Sequence, residues 1–412
     1  MPESTRPAAR LRPRPRSRVA RLLLFFGGVI GALLIAEAAL HVAGFTYFNP
    51  YIVDQDLGYA LRPNAEGWWN HEGLTYVKIN SQGFRDREHT IAKPAGTLRI
   101  AVLGDSFTEA FQVPQEKAFW SVLERRLQEC PTAERSKVEV LAFGVSGFST
   151  ARELILLQRS IWQYSPDVVV LLVTTGNDIR DNSRTLNAFP NKPLPYFVYQ
   201  DGRLMLDDSL VAAQNRTLSF RLRRSAIGKV FYWVQNHVRL IGLFYTVREA
   251  YQSPSELPER LKPLSTQSEV GVDSEVYVES ASPEWDDAWR LTEGLLVEMR
   301  NEVRAKGAKF LLVTGSMGIQ VNPDPDVRER YMKRLGIHSL FYPDQRIKEL
   351  GQREGFEVLN LAPPLAEYAT LNKVFLHGVG DQKGRGHWNE IGHQLAGEFI
   401  AGQLCKGISN EN

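Results

Sequence analysis

Five short runs of aliphatic and β-branched residues restrict what this chain can fold into: Leu98–Leu103, Val138–Phe143, Val168–Val173, Lys309–Val313 and Phe356–Leu361. Each is apolar on both faces, the pattern of a strand covered above and below. Helical patterns alternate with them at Glu116–Glu129, Ala151–Tyr164, Glu284–Ala305, Asp344–Gly351 and, after the last strand, Glu390–Gly402. This alternation predicts a doubly wound, three-layer α/β sheet spanning residues 97–409. Right-handed crossovers then place the loops that follow the strands along one edge, where such sheets bind ligands.

The alternation breaks at about 181–283, which reads as an insertion. It opens on a hairpin signal, Pro195–Leu206, turning at Asp201-Gly202. A basic, aromatic helical stretch follows from Ser219 to Tyr251, expected to form a cap buried on one face, with contact to membrane or substrate as the alternative. Ser253–Ser282 is rich in Pro, Ser and Glu and is expected to be an exposed linker. Upstream of the sheet, residues 46–96 are turn-rich and aromatic. They include Gly67–Asn70 (GWWN) and Asn80–Asp86 (NSQGFRD), and are expected as short strands and loops packed on the α/β domain.

The amino terminus carries a separate signal. Residues 1–18 form a basic tail, and seven arginines stand against one glutamate between Met1 and Arg21. Leu22–Ala36 then runs for fifteen residues without a charge, and the apolar character extends past Glu37 to Phe45. The segment 19–45 is long enough to cross about 30 Å of hydrocarbon. Arginines ahead of it predict a cytoplasmic tail and a translocated, periplasmic or otherwise extracytoplasmic body. Ala36-Glu37-Ala38 also has the small-x-small form of a cleavage site, so a signal peptide with a secreted product stands beside the single-pass anchor.

With the basic tip set aside, the rest of the chain is mildly acidic, because the net charge is only +2. That argues against a nucleic-acid-binding face. The two cysteines, Cys130 and Cys405, either pair in an oxidising compartment or stay as thiols; their spacing suits no zinc site. Gly27–Gly31 (GGVIG) lies inside the apolar segment without a preceding strand, which excludes a dinucleotide fingerprint there.

Four segments carry chemistry. The first strand ends in Gly104-Asp105-Ser106, placing Ser106 where a helix begins and free N–H groups favour negative charge. The second is followed by Phe143–Thr150, in which Gly147 lets its backbone N–H approach an oxyanion. The third ends in Thr174–Ile179, where Asn177 offers a neutral amide donor and Asp178 a structural hydrogen-bond partner. Near the carboxyl terminus, Gly384–His393 (GRGHWNEIGH) presents His387 as a base at the start of the last helix, with His393 packing structurally.

Together these four segments resemble the SGNH (GDSL-type) hydrolase family over about Leu98–Leu404, interrupted by the insertion. The resemblance implies a flavodoxin-like α/β/α sandwich and ester hydrolysis without metal or cofactor. It implies Ser106 as nucleophile, His387 as base, and an oxyanion hole of Ser106, Gly147 and Asn177. The family usually places an aspartate three residues before the histidine, and here that position is Gly384. Asp381, six residues before His387 in a glycine-rich loop, is the expected orienting acid, with a Ser–His dyad as the alternative.

The expected activity is hydrolysis of acetyl or other short acyl esters on an envelope glycan or lipid. A polysaccharide O-acetyltransferase would use the same residues, with a sugar hydroxyl in place of water. A catalytically silent glycan-binding scaffold is the reading from another class.

Overall fold

The computed structural model describes residues 18–130, 137–187, 192–252 and 274–409. The basic tail, apart from Arg18, and most of the expected linker lie outside them. Helix α1 (Arg18–Val42) precedes two antiparallel hairpins, β1 (Tyr51–Asp54) with β2 (Gly58–Leu61) and β3 (Glu66–Trp69) with β4 (Thr75–Lys78). The core opens with β5 (Thr97–Gly104), α2 (Ser106–Glu109), α3 (Phe119–Gln128), β6 (Lys137–Gly144), α4 (Thr150–Leu156), β7 (Val168–Val173) and α5 (Asp178–Asn182). The insertion adds the hairpin β8 (Tyr196–Gln200) and β9 (Arg203–Asp207), then α6 (Ser209–Asn215), α7 (Leu218–Arg224), α8 (Ala226–His237) and α9 (Arg239–Gln252). The core resumes with α10 (Pro283–Ala305), β10 (Lys309–Thr314), α11 (Pro325–Leu335), α12 (Tyr342–Glu354), β11 (Glu357–Asn360), α13 (Ala362–Asn372) and α14 (Glu390–Ser409).

The central sheet has the order β6-β5-β7-β10-β11 and is parallel throughout. Second-first-third-fourth-fifth is the flavodoxin-like doubly wound order, so the chain reverses direction across the sheet between β5 and β7. All eight residues of β5 and all six of β7 are buried, which is why both strands are apolar on both faces. Each buried aliphatic side chain contributes about 1.5–3 kcal/mol, so these two strands supply the centre of the core. Helices α3 and α14 pack together, whereas α10 packs on α4, α12 and β10.

Local chemistry explains the longest core helix. In α10 the Ser282 hydroxyl accepts the Trp285 N–H at 3.4 Å, and Pro283 occupies the first turn, where its missing N–H costs nothing. Trp285, Trp289, Leu296, Met299 and Val303 then form its buried stripe. The hairpin expected at Asp201-Gly202 turns there, with positive φ at both residues. The linker expectation fails at its end: Val276 and Tyr277 are fully buried against the core.

Helix α1 has 25 residues, a mean hydropathy of 2.3 over its most apolar window, and no buried residue. At 1.5 Å per residue it is about 37 Å long, enough in length and composition to cross a bilayer.

Cys130, just beyond α3, is disulfide-bonded to Cys405 in α14, with Cα atoms 6.1 Å apart. The bridge closes a sequence separation of 275 residues. Replacing both cysteines by serine is expected to lower stability by about 2–4 kcal/mol. Thermal melts of the variant, and of the wild type with and without reductant, check this.

Candidate active site

The parallel register brings three loops to one edge. Gly104 at the end of β5 is paired with Gly144 of β6, and Leu103 lies against Leu171 of β7. Ser106, Gly147 and Asn177 therefore follow three adjacent strands, at the point where the winding reverses. Asp105 caps α2: its Oδ1 accepts the Phe107 N–H at 3.0 Å, which leaves Ser106 at the first helical position. There its own N–H has no intrahelical acceptor.

His387 completes the centre. Its Nε2 lies 2.8 Å from the Ser106 Oγ, and its Nδ1 lies 2.6 Å from Oε2 of Glu72. A carboxylate accepts, so Nδ1 carries a proton and Nε2 is left free to take the serine hydroxyl proton. Among the described residues the carboxylate on His387 Nδ1 is Glu72, where the resemblance and the glycine-rich loop pointed to Asp381. Asp381 belongs to a short helical turn, Gly380–Gln382, and its side chain lies outside the described residues. Glu72 sits in the loop between β3 and β4, 315 residues away in sequence. Gly386 explains how the carboxylate fits: its φ is +67°, and a Cβ there would lie 2.9 Å from Oε1 of Glu72.

Burial works against a charged His387, but the Glu72 hydrogen bond and charge, with Asp105 and Glu109, outweigh it and raise the imidazole above its ordinary value of 6.5. Asn177 is oriented from below: its Nδ2 donates to Oδ2 of Asp105 at 3.3 Å, leaving the second amide proton available. Asp105 also accepts from the Thr174 hydroxyl at 3.0 Å. Asp178 accepts the Thr174 N–H at 2.7 Å, the structural role expected for it. Gly147 adopts φ +71°, and a Cβ there would lie 2.8 Å from the Tyr59 hydroxyl, which itself donates to Ser146 O.

Residues 46–96 brace the turn that carries Ser106. The buried Arg85 guanidinium donates to the carbonyls of Glu109, Ala110 and Val113, and burial pushes it down to about 10. The Thr75 hydroxyl donates to Phe111 O, and the Tyr51 hydroxyl to Glu109. Burial pushes Glu109 up to about 8, against the bonds it accepts from the Ser146 N–H and Tyr51.

A second histidine holds the His387 loop. His377 Nδ1 lies 2.6 Å from Gly386 O and so donates; its Nε2 accepts from the Ser316 hydroxyl at 3.0 Å. The Trp388 indole donates to the same hydroxyl at 2.8 Å. Backbone bonds from Gly378 N to His387 O and from Asn389 N to Leu376 O close the loop neck. His393 is buried and stacked on Phe119, apart from this relay, as expected.

Solved structures with esterase activities in their descriptions are similar to this chain. One is a putative lipolytic protein of the G-D-S-L family from Desulfitobacterium hafniense DCB-2, at 12% identity over 74% of this chain and 98% of that chain, TM-score 0.32. Another is a catalytic mutant of an acetylxylan esterase from Geobacillus stearothermophilus, at 11% identity over 74% and 93%, TM-score 0.37. A third is a lipase from a goat rumen metagenome, at 13% identity over 75% and 97%, TM-score 0.36. No family model and no curated protein matches the chain.

Burial pushes His377 down to about 4, so it stays neutral in the folded protein at pH values where the unfolded chain, near 6.5, takes a proton. Its contribution to stability is present above pH 6.5 and is lost as pH falls towards 4. His377→Leu keeps an apolar volume but leaves Gly386 O without its donor and the Ser316 hydroxyl proton without its acceptor, at about 1–3 kcal/mol each. The expected outcome is a lower melting temperature, a weaker loss of stability between pH 6.5 and 4, and reduced kcat at little-changed KM.

Proposed function

We propose that this chain is a serine esterase of the SGNH type, held at a membrane by α1, with Ser106, His387 and Glu72 as its catalytic triad. The observation that carries this reading is the unbroken relay from Ser106 Oγ through His387 to Glu72, at 2.8 and 2.6 Å. Both distances fall within the reach that general-base activation of a serine requires.

In the proposed reaction His387 Nε2 takes the Ser106 proton as Oγ attacks an ester carbonyl. The Ser106 and Gly147 N–H groups and the Asn177 amide receive the oxyanion, each donor contributing about 3–4 kcal/mol to the transition state. His387 passes its proton to the departing alcohol, then activates water to release the acid from the acyl-enzyme. Glu72 keeps Nδ1 protonated and stabilises the imidazolium without itself taking the proton. Acetyl and other short acyl esters of an envelope glycan or lipid are the proposed substrates. Their alcohol side would be set by the insertion.

The anchor reading draws on Glu37. Its carboxylate accepts the N–H groups of Arg239 and Leu240 at 2.8 and 2.9 Å and so caps α9. Cleavage at Ala36-Glu37-Ala38 would remove that cap, which favours α1 as a retained single-pass anchor with the α/β domain extracytoplasmic.

The test is hydrolysis of a chromogenic acetyl ester by the full chain and its variants. Ser106→Ala is expected to reduce turnover to background. Glu72→Gln is expected to lower kcat by about 10³–10⁴-fold, whereas Asp381→Asn leaves it within about twofold, since His387 Nδ1 already has its carboxylate. His387 must be neutral to act, so activity is lost as pH falls through its raised pKa, above 6.5. Removing the Glu72 charge lets burial dominate and moves that acid limb to lower pH. Full activity in Glu72→Gln would overturn the triad.

A further inference from the structure

Helix α8 is turned inside out for a helix on a water-facing surface. Its inward positions are Gly228, Tyr232 and Gln235, all buried. Its outward positions include Ile227, Val230 and Trp233, exposed at 69%, 62% and 57%, with Val234 beside them. At 3.6 residues per turn these four side chains fall within about 120° of one face. The adjoining helices repeat the pattern: Leu218 and Leu222 are exposed on α7, and Phe244 and Val247 on α9. Exposed apolar side chains on three helices packed in succession mark an interaction face.

The charge of this region has one sign. From Ser209 to Arg248 there is no carboxylate, against seven cations: Arg216, Arg221, Arg223, Arg224, Lys229, Arg239 and Arg248. Among the described residues none of the seven is in an ion pair. Apolar side chains interleaved with unneutralised lysine and arginine suit helices lying at the level of anionic headgroups.

The position of these helices supplies the occupant. Glu37, about 7.5 Å along the helix axis before the end of α1, caps the first turn of α9, and the Arg239 guanidinium donates to Leu40 O at 3.2 Å. Tyr47 stacks on Tyr245 at 6.0 Å. The start of α9 is therefore fixed at the depth where α1 leaves a bilayer. Headgroup-level helices sit at about that depth, their apolar faces reaching some 5–10 Å inwards.

We propose that α7, α8 and α9 form a platform that lies on an anionic phospholipid surface beside the exit of α1, with Ile227, Val230 and Trp233 inserted among the acyl chains. This rests on α1 being a membrane span. Of the two expectations for this stretch, a cap buried on one face and contact with membrane or substrate, α8 buries one face through Gly228, Tyr232 and Gln235, and the proposal assigns its uncovered apolar face to the membrane. The platform would hold the catalytic sheet at a set orientation to the membrane, with a cavity of about 380 Å³ between the platform and β1–β2, lined by Tyr51, Tyr59, Tyr232, Arg223 and Arg248.

The test uses the full chain in vesicles of phosphatidylcholine with phosphatidylglycerol. Both native cysteines are disulfide-bonded, so single introduced cysteines take an environment-sensitive fluorophore selectively. Ile227→Cys and Trp233→Cys report the platform, Ile30→Cys the anchor, and Leu371→Cys, exposed on α13, the aqueous reference. Labels at 227 and 233 are expected to show severalfold lower iodide quenching than at 371, and quenching by nitroxide lipids as at 30. Shielding at 30 with full iodide access at 227 and 233 would overturn the platform and leave the anchor standing. Full access at 30 as well would remove the anchor and the platform together. Equal shielding in phosphatidylcholine alone would overturn the anionic preference.

Discussion

The site depends on one hydrogen bond, between His387 Nδ1 and Glu72. It joins a loop from the end of the chain to a hairpin near its beginning, across 315 positions. An imidazole has two tautomers, and only the one with Nδ1 protonated presents a free Nε2 to Ser106. Glu72 selects that tautomer, and its charge offsets the burial that would otherwise keep the ring from accepting a proton. The fit is tight on both sides. Gly386 leaves room where a side chain would meet the carboxylate, and a Cβ at Gly73, where φ is +77°, would lie 3.1 Å from Gln112 O and 3.2 Å from Val379 Cγ1.

The rest of the structure holds the two ends of that bond still. On the histidine side, His377, Ser316 and Trp388 form a buried, mutually satisfied network whose last acceptor is the carbonyl just before His387. Such networks rigidify when complete and are costly when broken. On the serine side, Arg85 binds carbonyls at the end of α2 and beyond it, so the turn that carries Ser106 is braced from outside the sheet. Asp105 binds the Asn177 amide and caps α2 at once, tying Asn177 to the serine's own turn. Deeper in, burial pushes Glu153 and Asp178 well up, with the Asp105 charge acting on both in the same sense. Asp105 is the better hydrogen-bonded of the three and the one in touch with the site.

The sheet was legible in the sequence because its central strands β5 and β7 are buried on both faces, so their runs had to be largely apolar. Ser106, Gly147, Asn177 and His387 were legible because each lies at a fixed offset from such a strand or from the last helix. Helix α11 was not, since Tyr331 is its only buried residue and no apolar period can arise from one position. Glu72 was invisible for a different reason. A residue in a hairpin loop of an aromatic, turn-rich segment has no local pattern that says where it points. Only the missing aspartate at Gly384 signalled that the carboxylate had to come from elsewhere. For α8 the sequence left cap and membrane contact both open, because amphipathicity fixes which side is apolar but not which medium that side meets.

Glu72 also changes the meaning of residues 46–96. By composition they were expected as short strands and loops packed on the α/β domain; beyond that they supply the carboxylate on His387, the Arg85 brace and the Tyr51 contact to Glu109. The chain passes from α1 through β1 and β2 to the β3–β4 hairpin in fewer than forty residues, while Glu37 ties α1 to the insertion. Helix α1, the insertion it contacts through Glu37 and the hairpin that carries Glu72 are therefore physically linked. In the proposed enzyme, a displacement of α1 against the sheet would be felt first at the hairpin that carries Glu72. Anchoring and catalysis would then be coupled through the position of a single carboxylate.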